Sequence, residues 1–87
     1  MYQSMIQLIE WVDSQRWMEA WASLEDAKAL ELGSCRSVGM VIFEDEERVV
    51  LAGSFGHGED EDVGSVLSIP KGCIKQRRNL NPAAHTS

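Results

Sequence analysis

Apolar and β-branched residues recur along this chain in short blocks, separated by charged or glycine-rich stretches. The clearest blocks are Val38 to Phe43 and Arg48 to Phe55, joined by Glu44, Asp45, Glu46 and Glu47, which is the pattern of a β-hairpin. In the first block Val38, Met40 and Ile42 alternate with Val41 and Phe43, so both faces of the strand are apolar. Such a strand is expected inside a barrel, or between a helix and another surface. Val63 to Ile69 reads as a further strand, and Pro70 ends it because proline cannot donate to a sheet ladder. Lys71 and Gly72 then make a turn, after which Cys73 and Ile74 are expected to point back to the core.

The first third of the chain is rich in Trp, Met, Ala and Leu and holds neither Pro nor Gly before Gly33, so helix is the default expectation for at least its second half. Ser23 supplies a hydroxyl cap, Glu25 and Asp26 lie in the first turn where the helix dipole favours carboxylates, and Gly33 is the expected stop. A helix is therefore predicted over 23–32. Residues 5–12 fit a helical face and a strand equally well. Trp17 and Trp21, four apart, would share a helical face. Three tryptophans exceed what so small a core requires, which marks one of them, Trp17, as a candidate contact residue.

At 87 residues the chain is expected to form a single domain over 1–80, with 81–87 a frayed tail. A chain this short buries only about 60% of its unfolded surface, so its stability margin is thin and oligomerisation is a natural remedy. Glu10, Asp13 and Arg16 interrupt the N-terminal apolar region, so no membrane span and no signal segment is expected. Cys35 and Cys73 are too few and too widely spaced for a zinc cluster and read as small buried hydrophobes.

Charge divides the chain unevenly. The net charge is −6, yet residues 71–87 carry four bases and no acid. An acidic body disfavours general affinity for nucleic acid, which needs an extended basic footprint. Lys71, Lys75, Arg77 and Arg78 form one basic cluster, either a solvated tail or a small anion site for a nucleotide phosphate. The acidic groups Glu44, Asp45, Glu46, Glu47 and Glu59, Asp60, Glu61, Asp62 flank the two ends of one strand and are the expected partner-binding surface, since negative charge can occupy a basic groove on a nucleic-acid-handling protein. The second acidic run lacks the alternating spacing of a calcium loop, and no metal or cofactor is expected. His57, Ser54, Cys35 and Cys73 match no nucleophile motif, so no catalytic residue is assigned and the chain is expected not to be an enzyme.

At Trp11 and Asp13, then Ser37, Val38 and Gly39, Glu44 and Asp45, Val49 to Leu51, and Ile69 to Gly72, the chain resembles a set of small proteins of tailed bacteriophages and prophages. Met40 departs from that pattern, where an aromatic residue is more frequent. The resemblance implies a strand for residues 5–12. With that strand added, the expected fold is α+β: a small antiparallel sheet of about four strands, in the manner of an SH3-like or Sm-like barrel, with one short helix. The function the resemblance implies is that of a non-enzymatic accessory protein in the bacterial cytoplasm, which inhibits a host factor, most naturally a defence component, through its acidic loops. Two other classes stay open: an oligomeric binder of a nucleotide signal at the basic cluster, and a minor virion or morphogenesis component.

Overall fold

The β-branched blocks pair as the hairpin pattern requires. The computed structural model describes residues 5–56 and 62–80. Its elements are β1 (Ile6–Asp13), α1 (Leu24–Ala29), β2 (Gly33–Glu44), β3 (Arg48–Phe55), β4 (Val63–Pro70), a 3-10 turn (Lys71–Cys73) and β5 (Ile74–Asn79). The five strands form one antiparallel sheet in the order β4-β3-β2-β1-β5. Among the described residues β4 and β5 do not pair, so the sheet is open and those two strands are its edges.

Of residues 5–12, all but Met5 belong to a strand, β1, which lies between β2 and β5 rather than at an edge. Among the described residues the strand count is five, not about four. The fifth is the basic segment after Cys73, which carries one aliphatic residue, Ile74, in six and so lacks the apolar signal that marks the others. Pairing with β1 supplies its backbone hydrogen bonds, and Leu80 N–H still donates to the carbonyl of Ile6 at 2.8 Å. Residues 81–87 lie outside the described residues.

Register assigns the faces. Ile9 pairs with Ser37, Val41 with Leu51 and Val49 with Ile69, and these positions share the face on which the core forms. Ile9, Val49 and Ile69 are fully buried and Leu51 nearly so, with Trp11, Val41, Leu67 and Ile74 packed against them. The strict alternation read from Val38 to Phe43 does not hold. The β2–β3 register shifts between Val41 and Phe43, and the residue inserted at Ile42 turns Phe43 to pair with Val50. Among the described residues no helix covers the second face of β2, and Val38 is 59% exposed there. Gly39 lies where β2 meets β3 closely: a Cβ would stand 3.0 Å from the Ala52 carbonyl oxygen and 3.1 Å from the Leu51 Cβ.

The helix is shorter than expected. Ser23 caps it as predicted, its Oγ accepting from Asp26 N–H at 3.0 Å, but the helix ends at Ala29 and Leu30 is already extended. Gly33 does not cap the helix. It opens β2 opposite Asp13, and the chain must straighten before it to enter that pairing. Trp17 and Trp21 lie outside the helix, in a bend closed by the Trp17 indole N–H donating to the Trp21 carbonyl at 3.1 Å.

Since the core is a handful of side chains, Ile9→Ala is expected to cost about 3 kcal/mol in urea unfolding. Gly39→Ala is expected to cost about 1–3 kcal/mol through the backbone shift it forces, and Val66→Thr, on an exposed position, to stay within about 0.5 kcal/mol.

Candidate functional site

Two surfaces stand apart from the core: a polar cluster at the β2–β5 end of the sheet, and the long connection between β1 and β2. The cluster is built by topology. Placing β1 between β2 and β5 brings Arg77 beside Gln7, and the β2 bulge sets Glu44 within reach of both Arg77 and the 3-10 turn. The Arg77 guanidinium donates to both Glu44 carboxylate oxygens at 2.9 Å, and its Nε donates to Gln7 Oε1 at 2.9 Å. Gln7, itself buried, donates onward to Asn79 Oδ1 at 2.8 Å. Lys71 Nζ adds a second cation 2.8 Å from Glu44. The Arg77 hydrogen bonds first, and that of Lys71 second, hold the Glu44 carboxyl down to about 2 from an ordinary 4.5. Glu44 in turn pushes the Arg77 pKa up.

This network assigns structural work to residues that the sequence pattern marks as binding residues. Glu44 is an internal counter-ion. Asp45 forms the β2–β3 turn, its Oδ1 accepting from the N–H groups of Glu47 at 2.8 Å and Arg48 at 3.0 Å, which lowers its pKa. Glu46, Glu47 and Asp62 are exposed and make no ion pair among the described residues. Glu59, Asp60, Glu61 and His57 lie outside the described residues. Asp62 precedes Val63, which pairs with Phe55 at the far end of β3, so the eight residues of that strand set it roughly 25 Å from the Glu44 to Glu47 turn. The four bases do not act as one cluster either: Lys71 and Arg77 are tied to Glu44, while Lys75 and Arg78 are exposed and unpaired among the described residues.

The second surface is the connection itself, residues 14–32, here called the arm. Every residue from Asp13 to Leu32 is exposed, and α1 buries none of its side chains. Met18 is 88% exposed, Trp21 87%, Leu24 72% and Leu32 64%. Trp17 is the least exposed of the arm's large apolar residues, at 36%, so Trp21 rather than Trp17 presents the open indole. The run of Trp, Met and Leu was visible in the sequence, where the surplus of tryptophans singled out Trp17 as a contact residue; the greater exposure of Trp21 was not visible there.

Cys35 and Cys73 are free thiols, and β1 runs between their elements: Cys35 pairs with Trp11, whose other neighbour is Ile74. Among the described residues no group of three His, Cys, Asp or Glu side chains is placed to hold a metal ion, and no helix is long and apolar enough to cross a membrane. Compared with models of protein families, with curated proteins and with solved structures, the chain matches none.

The pH dependence follows from Glu44. Its folded pKa lies below its unfolded value, so its pairing stabilises the fold above pH 4.5, and that contribution is lost as pH falls from 4.5 toward 2. The carboxylate is one-third exposed, so the effect is screened to about 1 kcal/mol. Urea midpoints measured across this window should fall for the wild type more steeply than for Glu44→Gln.

Proposed function

We propose that the chain is a non-enzymatic protein-binding module that engages another polypeptide through the arm. One observation carries this reading: a continuous segment bearing Met18, Trp21, Leu24 and Leu32 is exposed throughout and contributes no side chain to the buried core. Exposed apolar groups cost free energy in water and contribute nothing to this fold, whereas covering them against a partner releases that cost. Tryptophan and methionine are also the residue types enriched at interface centres.

The more specific form of the reading is a phage or prophage accessory protein of the bacterial cytoplasm that inhibits a host defence factor. It rests on the sequence resemblance and on the exposed carboxylates of Glu46, Glu47 and Asp62, which suit a basic groove on the partner. A nucleotide-binding role is less well supported, because Glu44 already neutralises Lys71 and Arg77 and leaves Lys75 and Arg78. A virion component would use the same arm. The barrel expectation belongs here too: the strand order β4-β3-β2-β1-β5, the bulge in β2 and the 3-10 turn between β4 and β5 favour a small barrel-like curl of the sheet.

Trp21→Ala combined with Met18→Ser should abolish partner binding while leaving the urea midpoint within about 0.5 kcal/mol of wild type. A drop comparable to that of a core substitution would instead make the arm part of the fold. Reversal of Glu46, Glu47 and Asp62 to lysine should weaken capture of a basic host partner and flatten its salt dependence. Unchanged affinity would remove the acidic surface from the account.

A further inference from the structure

We infer that the arm's partner is a second copy of this chain, with residues 14–32 of each protomer lying across the open face of the other's β2, β1 and β5. The inference rests on the reading of the arm as a docking element and names its partner.

The open face is defined by register. Leu8 and Val12 of β1 and Val38 and Met40 of β2 lie opposite the face that carries Ile9; Val38 is 59% exposed, the other three are half-buried, and no helix among the described residues packs on them. Among the described residues the chain thus presents both an exposed apolar segment and a sheet face whose apolar side chains are only partly buried. The arm leaves from the paired strand ends Asp13 and Gly33, and its full exposure means that it does not fold back onto its own sheet.

Charge matches the two surfaces. The arm carries Glu19, Glu25, Asp26 and Glu31 against Arg16 and Lys28, a net −2. Around the face, Arg78 shares register with Leu8, Arg36 with Glu10, and Lys75 borders a groove of about 570 Å³ with Glu10, Val12 and Arg36. Three bases against Glu10 give that face a net +2, and none of the three makes an ion pair among the described residues. A chain that carries both complementary surfaces closes with two-fold symmetry: each arm finds a face, and neither is left over. The pairing also supplies buried area that the small core around Ile9, Val49, Leu51 and Ile69 lacks.

The test is sedimentation equilibrium of the full chain across the micromolar range. A dimer is expected, and Trp21→Ala should raise its dissociation constant about 30-fold. Arg36→Glu with Arg78→Glu should raise it about tenfold, and adding Glu19→Lys and Glu31→Lys to the same chain should restore it, because reciprocal docking swaps the signs on both surfaces. All of these positions are exposed, and urea midpoints on dilute protein verify that the fold is kept. A dimer insensitive to these changes, or one the charge swap fails to restore, overturns the inference. So does a monomer at every concentration, and fluorotryptophan NMR then separates two cases. A solvent-exposed Trp21 leaves the arm as a docking element for a different protein, whereas a shielded Trp21 means that the arm packs on its own sheet, and the reading of the arm fails as well.

Discussion

The pairing of β1 with β2 is the constraint on which the rest of this structure depends. It runs without interruption from Ile6 opposite Met40 to Asp13 opposite Gly33, and it places Ile9 at the centre of the buried face. Because the strands meet at Asp13 and Gly33, everything between those residues is excluded from the sheet. Because β1 is interior, its other edge must also be satisfied, and β5 supplies the donors and acceptors. A segment with little apolar character is thereby held as a strand by backbone pairing and by Arg77.

The polar cluster follows from that arrangement. Gln7 is buried in β1, and its amide is satisfied on one side by Arg77 and on the other by Asn79, so both partners come from β5. Arg77 then reaches Glu44 across the sheet, and Lys71 closes the same carboxylate from the 3-10 turn. The chain's basic end and one of its acids are consumed in joining the last strand to the body. The bases left over, Lys75 and Arg78, sit on an edge strand, where charge discourages unspecific strand addition.

Much of the sheet was legible in the sequence. Arg48 to Phe55 and Val63 to Pro70 announce themselves by β-branched runs with a proline stop, and Ser23 announces the helix start. β5 was not legible, because pairing with β1 rather than its own apolar content makes it a strand. The roles of Glu44 and Arg77 were hidden for a related reason: they are 33 residues apart, and only the topology brings them together. The bulge at Ile42 broke the alternation rule where the pattern had looked most regular. The arm was legible in part: the tryptophan surplus pointed to a contact residue, but the helix expected over 23–32 stops at Ala29 and the open indole is that of Trp21.

The described sheet has all its strand pairings without the arm. Replacing residues 14–32 by a two-residue Asn-Gly turn would join Asp13 to Gly33 directly, in the geometry that such a turn favours. Urea unfolding of this shortened chain, at concentrations where the full chain is monomeric, tests most directly whether the sheet stands without the arm. A cooperative transition is expected, with a stability within about 1 kcal/mol of the full chain, aided by the lower cost of closing a shorter loop. Loss of the cooperative transition would contradict that expectation and would make the arm part of the core.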